Sequence, residues 1–260
     1  MEYGMPTLIE LPKLENCAAL CRKLGLQFIE LNMNLPQYQP EQIDIARFRE
    51  IAEKYGVYYT IHLDENLNVS DFNHRVAKAY LDTVAETIDI AKALHAPVLN
   101  MHLSRGVYFT LPDRKVYLFA ENEELYLNSM RKFRDMAETL IGGSDIKICI
   151  ENCDGYTDFQ IKALDLLLES PVFALTFDIG HNHGIGGTDE PVIMSYADRL
   201  SHMHMHDALG KQNHLSLGDG EVDLHKYFTL ADKCDCRVVL ETKTVEGLKK
   251  SVKWIERNVD

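Results

Sequence analysis

The sequence predicts an α/β protein: a single-domain (β/α)8 TIM barrel spanning residues 1–260. Three observations carry that expectation. Eight short apolar runs each end in a polar or charged residue, helix-period segments lie between them, and no Gly/Ser/Pro-rich linker or composition break divides the 260 residues. A doubly wound sheet shares the alternation, but no glycine-rich phosphate turn follows the first run.

In order, the runs are Thr7–Glu10, Gln27–Asn32, Val57–His62, Pro97–His102, Ile146–Glu151, Phe173–Asp178, His202–His206 and Arg237–Glu241. Among the intervening segments, Ile45, Phe48, Ile51 and Tyr55 share one helical face after a Pro40-Glu41 start and stop at Gly56. Val76, Tyr80, Val84, Ile88 and Ala91 do so in a longer helix, and Met130, Phe133, Met136 and Leu140 in another that ends at Gly142-Gly143. Val245, Leu248, Val252 and Ile255 close the chain.

Side chains alternate faces along a strand, so the phase of each run is informative. Glu151 is in phase with Cys149, against Ile148 and Ile150; Asp178 is in phase with Thr176, against Phe177 and Leu175; Glu241 is in phase with Val239, against Leu240. The bulky apolar face suits a helix layer. The polar residue then points into the mouth at the strand's C-terminal end, where barrel active sites are built.

Bulk composition narrows the partners. A net charge of −13 argues against a nucleic-acid partner, because neutralising phosphates needs a basic footprint and no basic stripe is present. No apolar run approaches the roughly 20 residues that span a bilayer, and no secretion signal opens the chain, so a cytoplasmic location is expected. Six cysteines form no C-x-x-C pair, which fits a reducing compartment without disulfides.

The strand ends collect Glu30, His62, His102, Glu151, Asp178, His204 or His206, and Glu241. Alone, each is an ordinary polar terminus. Gathered at one mouth, unpaired carboxylates would raise each other's pKa, and a divalent cation is the simplest neutraliser. Mixed oxygen and nitrogen donors without thiolate suit Mn, Zn, Co or Mg. In His202–His206 three histidines alternate with two methionines, an imidazole wall that is either a ligand-bearing strand or a half-buried edge; strand geometry alone sets His206 nearer the mouth than His204.

The pattern FIEL (28–31), IHLDENLN (61–68), NMH (100–102), IEN (150–152), FDIGH (177–181), HMHD (204–207), HLSLGDGEVD (214–223) and LET (240–242) resembles the xylose isomerase-like TIM barrels, which include sugar phosphate isomerases and epimerases and the endonuclease IV-like AP endonuclease family 2. Each motif is weak alone; order and spacing together are specific. The resemblance implies metal ligands at Glu151, Asp178, His204 and Glu241, with His204 chosen because the family's ligand stands three residues before an acidic residue, here Asp207. His181, in the D-x-x-H arrangement after Asp178, is implied to touch substrate or a further metal.

Two enzyme readings follow. In the first, the protein is a metal-dependent isomerase or epimerase of a small sugar or sugar phosphate. Glu151 and Glu241 are ligands and acid/base, and His62, His102, His181 and Lys211 face the substrate. In the second, resemblance to endonuclease IV adds metal ligands at His62, His102, His181 and His214 and makes the chain a multi-zinc phosphoester hydrolase. Three departures weigh against it: Gln212 stands where an aspartate is expected, Glu65 where a tyrosine is expected, and the charge is wrong for steering DNA. A third reading, a non-catalytic relic barrel, conflicts with an intact ligand set.

Two loops stay open at this point. Gly218-Asp219-Gly220 could offer backbone N–H groups to a phosphate, though its acidic residues oppose that. The insertion Ser104–Glu124 is a substrate lid, a contact between copies of a homo-oligomer, or a packing flap.

Overall fold

The structure, a computed structural model, describes residues 1–259. Eight parallel strands close a barrel: β1 (Glu2–Pro6), β2 (Phe28–Asn32), β3 (Tyr58–His62), β4 (Val98–His102), β5 (Lys147–Glu151), β6 (Phe173–Asp178), β7 (Leu200–Met205) and β8 (Arg237–Leu240). Closure comes where β1 pairs with β8 through Glu2 and Arg237 and with β2 through Gly4 and Phe28. Long helices pack outside, among them Ile45–Tyr55, His74–Leu94, Glu123–Ile141 and Val245–Asn258. Between β6 and β7 the chain makes only the short helices Ile179–Gly184 and Glu190–Ser195 and a 3-10 turn, Ala197–Arg199.

Seven strands fall where the apolar runs put them. The first does not. Thr7–Glu10 follows β1 instead of forming it, and the strand is EYGMP. Its sequence hides it, since Gly4 and Pro6 are poor strand formers. Packing supplies the reason for the glycine: a Cβ at position 4 would lie 2.4 Å from the Phe28 ring. Pro6 is tolerated at the strand's last position. The Pro40-Glu41 helix start is likewise a separate single turn, and the helix proper begins after Asp44, whose carboxylate accepts from the Arg47 N–H, and ends at left-handed Gly56.

The phase argument holds. Ile148 and Ile150 join the large core between sheet and helices, whereas Val98, Cys149 and Ala174 form a small apolar floor of their own. Above this floor the interior turns polar, with Thr60, Asn100, Thr176, His202 and Glu30 all buried. A register shift between Leu175 and Thr176 brings Asp178 opposite His204 across β6 and β7. All six cysteines are free thiols.

Both open loops take definite form. The insertion contains an antiparallel hairpin, Tyr108–Thr110 with Lys115–Tyr117, anchored where Arg105 donates to the carbonyls of Asp154 and Gly155. Val107, Tyr108, Phe109 and Leu111 remain exposed on it. The glycine loop is not a phosphate cradle: the N–H groups of Gly218, Gly220 and Val222, with that of Ala208, all donate to the buried carboxylate of Asp207. Four backbone donors on one carboxylate explain the acid of HMHD as a structural anchor. Among the described residues, no helix is long and apolar enough to cross a membrane.

Candidate metal centre

Glu151, Asp178, His204 and Glu241 converge at the C-terminal mouth. The Nδ1 of His204 lies 3.4 Å from Glu151 Oε1, 3.2 Å from Glu241 Oε2 and 3.9 Å from Asp178 Oδ2. His181 joins them from the short helix after β6, its Nδ1 3.4 Å from Asp178 Oδ2 and 3.6 Å from Glu151 Oε1. Donors that share one ion at about 2.0–2.2 Å sit roughly 3–3.5 Å from each other, so the spacing suits one cation.

The hydrogen-bond account tests that fit. Glu151 Oε1, Glu241 Oε2, His204 Nδ1 and His181 Nδ1 are all buried, and none has a hydrogen-bond partner. Buried polar atoms are normally paired, so four orphans gathered around His204 and Glu151 could hold a cation. The donor set of carboxylates and imidazoles is the one a divalent ion takes.

The electrostatics agree. Burial would raise the Glu151 carboxyl, but the imidazoles of His204 and His102 hold it well below the usual carboxylate range. Glu241 is lowered in the same way, burial being outweighed first by His204 and then by Lys243, whose Nζ lies 2.8 Å from Oε1. Burial opposes charge on His204, yet the carboxylates of Glu151, Glu30 and Glu241 raise it well above an ordinary histidine. His181 is raised to about 10, Asp178 and then Glu151 overcoming burial. Without a metal, protons on these imidazoles supply the missing positive charge.

Glu151 has a second side. Its Oε2 accepts from the Asn100 side-chain amide and faces His62 Nε2 at 3.5 Å and His102 Nε2 at 3.3 Å. The Nδ1 of His62 donates to the Leu63 carbonyl at 2.7 Å, so Nε2 is the nitrogen turned to Glu151. Burial lowers His62, but its hydrogen bond with Glu151 carries it to about 9.

Beneath the mouth sits Glu30, 2% exposed. Its Oε2 accepts from His202 Nε2 at 2.9 Å and from Thr60 Oγ1 at 3.2 Å, and its Oε1 is 2.8 Å from His204 Nε2, oblique to the ring's N–H. Burial would raise Glu30, but His204 and His202 hold it below the usual range. A carboxylate against Nε2 favours a proton there and leaves Nδ1 as the donor atom toward Glu151 and Glu241. So the mouth-facing atom of β7 belongs to His204; His206, just past the strand, turns to Asp178 instead.

Over the centre lies a cavity of about 510 Å³, lined by His62, His102, Glu151, His181, Lys211, His214, Glu241 and Lys243 among others. The expected ligands and substrate-facing residues line this cavity or, in the case of Asp178 and His204, lie fully buried beside it, whereas Glu30 and His206 are buried outside its lining. His214 donates through Nδ1 to the Glu241 carbonyl at 3.2 Å, and burial lowers it to about 4. Gln212, by contrast, is exposed in the hairpin Asp207–Leu209 with Gln212–Leu215 and stays out of the lining. His183 pairs with Glu221 at the rim. Sequence reasoning missed Asn100, His202 and Lys243 and set Glu30 at the mouth instead of beneath it; alternation within NMH and HMH carried a signal for Asn100 and His202, while Lys243 carried none.

The description of the xylose isomerase-like TIM barrels matches residues 18–258. The chain belongs to that family. Within it, the chain is 25% identical over 215 residues to an uncharacterized protein of Methanocaldococcus jannaschii, covering 81% of this chain and 78% of the relative. It is 26% identical over 230 residues to a probable endonuclease 4 of Natronomonas pharaonis, covering 81% and 79%. Among solved structures, a D-tagatose 3-epimerase-like protein superposes with a TM-score of 0.77 at 21% identity, covering 99% of this chain and 96% of the other. The IolI protein with a bound zinc atom gives 0.72 at 13% identity over 99% and 96%. These likenesses establish the fold.

Proposed function

We propose that the protein is a metal-dependent isomerase or epimerase of a small sugar or sugar phosphate, with Glu151 and Glu241 as its acid/base pair. The observation that carries this reading is the placement of two ionised glutamates on either side of His204 Nδ1, each with one buried oxygen lacking a partner. Glu151, Asp178, His204 and Glu241 would hold a divalent cation, with His181 beside it. Bound there, the cation would act as a Lewis acid toward adjacent substrate oxygens and stabilise an enediolate.

The protein's own groups do the rest. Exchange of a proton next to a carbonyl needs one group to remove it and another to return it. Glu241 and Glu151 are both ionised at neutral pH, and either can take a proton from its own face of the substrate. Asn100 fixes the Glu151 carboxylate by donating to its other oxygen, and Lys243 does the same for Glu241. His62, His102 and His181 offer the substrate hydrogen-bonding ring nitrogens, and Lys211 a positive charge at the rim. The cavity is large enough for a sugar-sized ligand. Names of neighbours point the same way: one is called a D-tagatose 3-epimerase-like protein, and another was solved with zinc.

A multi-metal phosphoester hydrolase is the second reading, favoured by the nitrogens of His62 and His102 on the far oxygen of Glu151 and by a relative called a probable endonuclease 4. Solvent-isotope exchange separates the two. Incubated with ketoses and ketose phosphates in D2O, a metal-loaded isomerase or epimerase exchanges the proton beside the carbonyl, read by proton NMR. Cleavage of a phosphodiester with no exchange in any sugar would reverse the choice.

A further inference from the structure

We propose that His206 is a positioning residue that ties Asp178 to the backbone of the hairpin after β7, and that it is not itself a metal ligand. This rests on the metal-site reading above only where ion affinity is concerned. His206 is fully buried, and both of its ring nitrogens are engaged. The backbone N–H of His214 donates to Nδ1 at 2.8 Å, much the shorter of that nitrogen's two contacts, the Asp207 carbonyl lying at 3.4 Å. An imidazole nitrogen that accepts carries no proton, so the ring's N–H is on Nε2. That nitrogen faces Asp178, 3.1 Å from Oδ2. The backbone of the hairpin thereby fixes which tautomer reaches the carboxylate.

Two features show that this arrangement is built in. Gly180 makes room for the ring: a Cβ there would lie 1.9 Å from His206 Cε1. His214 has φ +56, left-handed backbone that a non-glycine residue rarely adopts, and in that conformation its N–H meets His206. His206 Nε2 is also 3.1 Å from Asp178 Oδ1, which accepts from the His181 backbone N–H at 2.7 Å, so the carboxylate is held by both residues. His181, His206 and His214 lie close enough together to suggest a three-imidazole metal site. With both His206 nitrogens committed, that group has two available imidazoles instead of three. The same hairpin carries Lys211 and His214 into the cavity wall, so His206 couples that wall to the centre.

Two variants separate the hydrogen bonds. H206Q keeps a donor at the position of Nε2, whereas H206N keeps an acceptor at the position of Nδ1 but does not reach Asp178. With Mn²⁺ alone as the probe and calorimetry on the full chain, H206Q should bind within about threefold of the natural protein and H206N roughly 10- to 100-fold more weakly, as for other outer-shell partners of ligands. Equal affinity in all three, or weaker binding by H206Q than by H206N, overturns the assignment. A second measurement needs no variant and no metal: long-range proton–nitrogen NMR of the chelated protein should show His206 protonated on Nε2. Protonation on Nδ1 would refute the proposal even if H206N failed to fold. A natural chain that takes up no Mn²⁺ would remove the metal reading, and the tautomer spectrum would still decide the hydrogen-bond assignment.

Discussion

The two sides of Glu151 differ in a way that bears on how many ions the mouth holds. Toward Asp178, His204 and Glu241, its Oε1 is buried and orphaned, and two further orphaned atoms, His204 Nδ1 and His181 Nδ1, face it. Toward His62 and His102, its Oε2 already accepts from Asn100. The first side is incomplete without a cation; the second is satisfied by an amide and two imidazoles. A buried carboxylate oxygen with no partner is costly, whereas one holding a hydrogen bond is not, so under the proposed reading the principal ion would sit on the Oε1 side. An ion on the other side would have to compete with the amide.

The comparison can be broken by mutation. The largest effect is expected from Glu241→Gln, which removes a base without changing shape: turnover in the exchange assay should fall by about 10²–10⁴-fold, the usual weight of acid–base catalysis, with the thermal midpoint little changed. Near-natural turnover would remove Glu241 from the chemistry. Next come the two sides themselves. Asp178→Asn should abolish tight uptake of Mn²⁺, while His102→Gln should leave affinity for the first ion within about threefold, since outer partners cost 10- to 100-fold only when they orient a ligand. Equal losses in both would mean that the two sides form one shared cluster.

A smaller effect sharpens the electrostatic side of the argument. Glu30→Gln removes the charge that favours a proton on His204 Nε2, and Mn²⁺ affinity should fall about tenfold. Unchanged affinity would make Glu30 a packing residue only.

Proton linkage gives a fourth check with a definite sign. His62 and His181 are raised to about 9 and about 10, so in the metal-free chain they carry protons at pH 7. This contributes stability that is fully present below the unfolded histidine value near 6.5 and is lost as pH rises through the folded values. Ligation through His204 or His181 needs a neutral imidazole and both are raised, so uptake at pH 7 should release protons, and apparent affinity should climb with pH up to about 10. Calorimetry in buffers of different ionisation enthalpy reads the release directly; none at pH 7 would contradict the assignment of charged histidines.

Much of this was legible before any coordinates. The alternation of Ile148, Cys149, Ile150 and Glu151 is enough to say which face is core and which is mouth, because a strand has period two. The convergence of Glu151, Asp178 and Glu241 follows from counting strands in a closed barrel, whereas His204 came from the family resemblance, strand geometry alone having set His206 nearer the mouth. Legibility fails where a residue's role comes from a neighbour distant in sequence. Strand β1 was hidden because Gly4 answers to Phe28, a partner no local pattern reveals. His206 looked like the outermost ligand of its strand; its real partners, Asp178 and the His214 N–H, come from another strand and from a hairpin. The Gly218–Gly220 loop suggested an anion site, and its anion is Asp207 of the chain itself.

The most direct test of the central claim is the metal content and Mn²⁺ affinity of protein purified without chelator or metal-binding tag, compared with Asp178→Asn. The account predicts one tightly held divalent ion per chain, lost in the variant. A folded natural chain that carries no metal and takes up none when Mn²⁺, Co²⁺, Mg²⁺ or Zn²⁺ is added would contradict it.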